Sequence, residues 1–308
     1  MGALFSHTRI GSKARCIGGG KYMIADSELA EFNQLYYQHV FVDGHHEYLT
    51  ELQRQVGPML IDLDFRYAIG TDERKHTESH LLDTVEVYVD ILKDMLDLSD
   101  VDQFDVWVME KPDVNQLAEL TKDGVHVVIG LAVDRATRKL VRDRAIDELA
   151  DVFEDLPLIN PIEEVIDRGV ALGTCQWQLY GSRKPDHDAY RIVKAYRVTE
   201  GGGTISDAPG SVQSHQAVLA NGSARSQGLP HPEVRQAWAE QHAAAAKEAA
   251  GGQRKIKLGT AGGGGDAAGA GPALAGAARL GTRPVSSGLK IVGQPMSEIR
   301  TQVETMLD

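Results

Sequence analysis

The chain has 308 residues, a formal net charge of −12, and 42% hydrophobic and 25% charged residues. A length of this order admits one or two domains of roughly 100–200 residues, each able to bury a substantial core, and the composition is that of a soluble globular protein. The acidic balance excludes a generally basic nucleic-acid coat, because non-specific affinity comes from Lys and Arg neutralising phosphates; any such binding has to be local. No apolar run approaches the ~20 residues that span a bilayer, so no membrane partner is expected. The opening stretch MGALFSHTRIGSKARCIGGG has cations but no continuous apolar centre, and does not read as a secretory signal. Gly2 and Ser6 fit the loose myristoylation pattern, which arises often by chance. Cys16 and Cys175 are the only cysteines, too few for a thiolate zinc site or a disulfide framework, and they point to a reducing, intracellular setting.

Taken in chain order, Ser27–Val40 reads as a helix. Met59–Leu63 is a short apolar run entering Asp62-Leu63-Asp64, as in a buried strand reaching its sheet edge. Between Glu73 and Leu98, residues Leu81, Val85, Val89, Leu92 and Leu96 recur at helical spacing, which predicts a long amphipathic helix. Phe104–Met109 alternates like a strand, Gly124–Leu131 is a second β-branched run, and Asp134–Phe153 returns to helical periodicity with Asp134 as N-cap. Tyr190–Val198 closes the ordered part as a strand. Beyond it, 18 of the 32 glycines fall between Gly201 and Gly288. The expected organisation is therefore a flexible N-terminus over 1–21, a domain over 22–199, a low-complexity linker over 200–288 and a short helical segment over 289–308. Within the linker, His231–Ala250 has strong helix formers but few large apolar residues to dock it. In the last segment Ile299, Val303, Met306 and Leu307 share one helical face.

Several residue groups could carry chemistry. Asp62 and Asp64, two apart in a strand, point to the same face, and two adjacent carboxylates call for a divalent cation between them. Asp-x-Asp alone is weak, since solvated strand ends often show it. Aspartate-nucleophile phosphatases use it too, but want Thr or Val where this chain has Arg66, and nucleotide-sugar transferases stay open. His126 starts an apolar strand after a Gly-containing turn, where an imidazole can meet a phosphate oxygen. Asp167 follows the helical-looking Pro161–Ile166 stretch. Finally, Gln176–Pro185 (QWQLYGSRKP) offers aromatics, a Gly-Ser turn, a hydroxyl at Ser182 and a cation at Lys184, which suits either a phosphate cradle or a plain hairpin turn.

Together the segments GPMLIDLDFRY, MEKP followed by KDGVHVVIG, EEVIDRGV, and WQLYGSRKP with Tyr190 resemble the archaeo-eukaryotic primase superfamily. They are most similar to the primase domains of primase-helicases from nucleocytoplasmic large DNA viruses, over roughly Tyr36–Val198. The resemblance implies an α+β fold: a primase catalytic core with an α/β unit joined to an RRM-like antiparallel sheet, followed by the Gly/Ala-rich tail. It implies Asp62, Asp64 and Asp167 as catalytic acids and ligands of Mg2+ or Mn2+. His126 and Lys184 would bind the incoming nucleotide, with Ser182 and Arg66 as weaker candidates. The implied activity is primer synthesis from NTPs or dNTPs on a single-stranded DNA template, at a nuclear or cytoplasmic replication site if viral. A catalytically inactive primase-fold module that binds nucleic acid or a helicase is the alternative. No GxxxxGK[ST] loop occurs, since Gly18-Gly-Gly-Lys21 lacks the spacing and the following hydroxyl residue, so a separate replicative helicase is the expected partner.

Overall fold

The computed structural model of the protein describes residues 5–252. The chain opens with a hairpin of β1 (His7–Arg9) and β2 (Gly20–Tyr22), followed by α1 (Leu29–Tyr37), a π-helical turn over Gln38–Val42, and β3 (Leu49–Glu51). The long strand β4 (Val56–Ala68) leads to α2 (Glu78–Met95), β5 (Gln103–Glu110), the short β6 (Asn115–Gln116) and β7 (Leu120–Asp134). Next come α3 (Arg135–Val152), the single turns α4 (Ile162–Val165) and α5 (Arg168–Ala171), and β8 (Trp177–Gln178). The described chain ends with β9 (Arg191–Thr199), β10 (Thr204–Asp207), α6 (His215–Asn221) and α7 (Ala239–Gly252). It is the mixed helix and antiparallel-sheet architecture expected from the alternating periodicities.

The main sheet runs β10-β9-β5-β7-β4 with β6 added to β7, and every pairing is antiparallel. A second sheet of four short strands runs β2-β1-β3-β8. Strand alternation gives the main sheet two distinct faces. On one, Ile61, Leu63, Phe65, Val106, Val125 and Val127 pack under α2 and α3 in the larger core. On the other, Leu60, Trp107, Met109 and Val128 meet α1, the second sheet and α6 in a smaller core. Asp62 and Asp64 continue the row begun by Leu60, so they lie on the second face where its apolar cover stops.

The helix ends follow from sequence. Thr77 and His80 cap α2 reciprocally, and Asp134 caps α3 by accepting the Thr137 N–H at 2.8 Å. No helix among the described residues is long and apolar enough to cross a membrane.

The expected limits of the folded part were drawn too narrowly. Residues before Tyr22 supply β1 and β2, with Ser6 and His7 buried. Residues 200–252 supply β10, α6 and α7. Glycine content suggests a linker, yet this segment places Val212, Val218 and Leu219 in the smaller core and is tied down by hydrogen bonds. Glu51, buried, accepts from the Ser223 hydroxyl and the Ala224 N–H. Ala132 donates to the Pro230 carbonyl, and Leu96 bridges to Val234. α7 then lies on α3 with Ala245 buried, His242 bonded to Asp134 at 3.0 Å and Lys139 paired with Glu248 at 3.3 Å. The remainder of the linker and the 289–308 helical segment lie outside the described residues.

Candidate active site

The site is built on β4 and β7. Asp62 sits opposite His126, which in turn sits opposite Met109 on β5. Asp64 sits opposite Gly124. The small residue at 124 has a specific reason: a Cβ there would lie 2.3 Å from the Tyr190 hydroxyl. Tyr190 fills that space and stacks on the His126 ring at 3.6 Å between centroids, while Trp177 of β8 flanks the same imidazole at 4.1 Å. His126 is thus buried between two aromatic rings, with Nε2 3.6 Å from Asp62 Oδ1. Burial first, and then the Lys111 and Lys184 ammonium groups, hold it well below the ordinary imidazole value, so it is neutral at pH 7.

Asp167 reaches this face because the chain from Ile159 onward runs along the free edge of β4. Ile159 donates to the Arg66 carbonyl at 2.9 Å. The Asn160 side chain donates to the Asp64 carbonyl and accepts the Arg66 N–H, both at 3.0 Å. Ile166 bridges to Leu63, and Asp167 donates its N–H to the Asp62 carbonyl at 2.9 Å. The buried Arg142 guanidinium pins this run by donating to the carbonyls of Glu163 and Ile166 at 2.7 and 2.8 Å.

Asp62 is the electrostatic centre. Its burial raises its pKa well above the ordinary carboxylate value, and the charges of Asp64 and Asp167 push the same way; Lys184 and Lys111 oppose without prevailing. Its Oδ1 is buried without a hydrogen-bond partner. A buried, unpartnered carboxylate oxygen beside two further acids suits a hard divalent cation. Among the described residues no group of three or more His, Cys, Asp or Glu side chains is placed to hold a metal ion, and Asp167 turns one oxygen to the Val170 N–H at 2.7 Å. An open carboxylate set completed by substrate phosphates is the arrangement Mg2+ commonly uses. Cys175 adds no thiolate: burial, Asp167 and Asp62 push its thiol up to about 12.

The other sequence candidates divide. Lys184 is exposed in the loop after β8 and acts on Asp62, His126 and Lys111. Arg66 continues the Asp62–Asp64 row, but its guanidinium is bound to Glu164 at 2.6 Å. Ser182 does not join the site. It is fully buried, with Oγ accepting the Leu49 N–H at 3.0 Å and bonded to Tyr36 Oη at 2.8 Å, so its hydroxyl ties the Gly-Ser turn to the interior.

Lys111, just past the end of β5, has no role in the sequence reading, although its MEKP segment stood among the family-like motifs. Its Nζ lies 5.0 Å over the Tyr190 ring, and burial followed by Lys184 lowers its pKa. Among the described residues neither Lys111 nor Lys184 forms an ion pair. Two unpaired cations thus face the acids. Asn160 was also missed; nothing local marks an asparagine as the clip that aligns two distant segments.

A model of the family described as C962R protein N-terminal AEP domain, AEP being archaeo-eukaryotic primase, matches residues 14–196, more than half of the chain. The chain belongs to this primase family. The primase domain is also 32% identical over 171 residues to the protein named "Putative helicase" of Acanthamoeba polyphaga mimivirus, an alignment covering 54% of this chain. The aligned part is 18% of that relative's length. Asp62, Asp64, Asp167, His126, Lys111 and Lys184 all fall within residues 14–196.

Proposed function

We propose that this chain is a DNA primase or primase-polymerase that makes short primers on single-stranded DNA by metal-dependent nucleotidyl transfer. The observation that carries the reading is the half-buried Asp62 carboxylate, whose Oδ1 is buried and unpartnered, acted on by the charges of Asp64, Asp167, Lys111 and Lys184. The three acids are the ligands for Mg2+ or Mn2+. When bound, such a metal would supply activation of a primer 3′-hydroxyl and neutralisation of the leaving pyrophosphate. Neutral His126, held rigidly between Trp177 and Tyr190, offers a hydrogen bond to a phosphate oxygen of the NTP or dNTP. Lys184 and Lys111 offset charge on the transferred phosphoryl, and Asn160 keeps Asp64 and the Asp167 segment in register. Catalysis of this kind rests on positioning and electrostatics rather than on a covalent protein intermediate. The family and the viral relative favour a setting in viral-type DNA replication inside a host cell, in which a helicase takes part.

The test is primer synthesis on single-stranded DNA with labelled NTPs and dNTPs and either metal, comparing the wild type with Asp62→Ala plus Asp64→Ala. Products lost in the double variant are expected. A well-folded wild type that makes none, with or without a helicase, would replace this reading by a non-catalytic nucleic-acid-binding module.

A further inference from the structure

Tyr180, Gly181 and Ser182, which resemble a phosphate cradle in sequence, all hold one neighbouring stretch, Tyr36–His46. Tyr180 stacks on Phe41 at 5.3 Å between centroids. Gly181 has a φ of 86°, and a Cβ there would lie 2.5 Å from the Phe41 ring, so the ring occupies the space a side chain would need. Ser182 bonds Tyr36. The residues on either side then divide between two surfaces. Lys184 acts on Asp62, whereas Arg183 acts on His46. Tyr190 stacks on His126, whereas Arg191 lies over the Phe41 ring at 5.0 Å. A single loop therefore joins the acid site to a second surface, made of the π-helical turn, the loop from Asp43 to His46, and two arginines.

This surface combines exposed imidazole rings with two half-buried arginines in a chain whose net charge is −12. His45 and His46 are exposed, on a loop whose tip Gly44 has a φ of 77°. His45 stacks on His39 at 4.5 Å. Arg191 forms no ion pair among the described residues, and the acid nearest Arg183 is Asp188 at 4.0 Å. Of the local acids, Glu47 is buried and held by Arg9 at 2.7 Å, and Asp43 accepts from Gln38 at 2.8 Å. Burial, then Arg183 and Arg191, keep His46 below its ordinary imidazole value, so its ring is uncharged and suited to stacking. Cations that track phosphates beside rings that accept bases are the two elements of a single-strand binding surface.

We propose that this surface binds single-stranded DNA, with phosphates at Arg183 and Arg191 and bases stacked on the His45–His46 loop. The choice of ligand rests on the primase reading above. The site is local, as the acidic composition of the chain requires.

The experiment is fluorescence anisotropy of a labelled oligothymidylate titrated with the full chain over a salt series, without nucleotide or divalent metal. Arg183→Ala plus Arg191→Ala is expected to flatten the slope of log K against log salt by about 1.4, two single-strand phosphate contacts at ~0.7 each. Arg191→Lys, which keeps the charge, retains the slope at that position. Arg144→Ala, on the helical layer, leaves it as in wild type. His45→Ala, at an exposed position, weakens binding about tenfold, the scale of one lost base stack. An unchanged slope in a double variant that melts like wild type overturns the proposal, and so does a wild-type chain that fails to bind the oligonucleotide. Arginine-dependent binding by a wild-type chain that makes no primer would remove the catalytic reading and leave this surface standing.

Discussion

Asp167 donates its backbone N–H to the carbonyl of Asp62 at 2.9 Å, although the two are far apart in sequence. That bond, with the Ile166–Leu63 bridge beside it, makes the run from Ile159 an irregular extra partner for the free edge of β4. Asp167, which no local pattern connects to Asp62 and Asp64, is thereby brought beside their strand, and Asp62 bears the electrostatic cost.

That cost gives the first prediction. An ionised Asp62 is disfavoured in the folded state without metal, so neutral Asn should raise stability at pH 7. Primer synthesis should be lost at the same time. Chemical denaturation and a synthesis assay on Asp62→Asn check both, and a destabilised variant would contradict the strain described for this carboxylate.

Gly124 and Tyr190 supply a second prediction through a steric rescue. Gly124→Ala places a methyl group 2.3 Å from the Tyr190 hydroxyl, while the next ring atom is 3.4 Å away. Overpacking of this kind typically costs about 1–3 kcal/mol. Adding Tyr190→Phe removes the clashing oxygen and should restore most of the melting temperature. Failure of the second change to rescue the first would mean the glycine is there for another reason.

Lys111 should matter to nucleotide use. Lys111→Ala removes one of the two cations facing the acids, and the expected effect is a rise of about tenfold in KM for the nucleotide, the scale of one charge-assisted hydrogen bond at ~1.5 kcal/mol. Steady-state incorporation kinetics on a pre-primed template separate KM from kcat. Unchanged kinetics would return Lys111 to a packing role on Tyr190.

The cap of α3 predicts a pH dependence away from the site. Burial of Asp134 favours its neutral form, but hydrogen bonds from the Thr137 N–H and the His242 ring outweigh it and leave the pKa below the ordinary 3.8. A depressed folded-state value contributes stability that is present above the unfolded value and lost as pH falls through the folded one. Asp134→Ala should therefore cost about 0.5–2 kcal/mol at neutral pH, with the difference from wild type shrinking as pH drops below about 4. Melts of both proteins across that range measure it, and a constant gap would assign the loss to something other than the ionised cap.

Much of this protein was legible one element at a time. The 3.6-residue spacing of Leu81, Val85, Val89 and Leu92 and the alternation around Asp62 depend on which face meets a core, and periodicity records that directly. Asp134 as a cap was legible for the same reason, being a local bond. Tertiary structure alone decided the rest, because it concerned residues whose partners are remote. Ser182 looks available in sequence and is consumed by Tyr36 and Leu49. Lys111 looks like a loop cation and faces the acids over Tyr190. The glycine-rich segment after Thr199 looks like a linker and is held by the Glu51 carboxylate, the Ala132 N–H and the buried side chains of Val212, Val218 and Leu219. Sequence pattern determined which strand carried the acids; only the folded chain, by laying the Ile159–Asp167 run against that strand, determined which distant residues stand beside them.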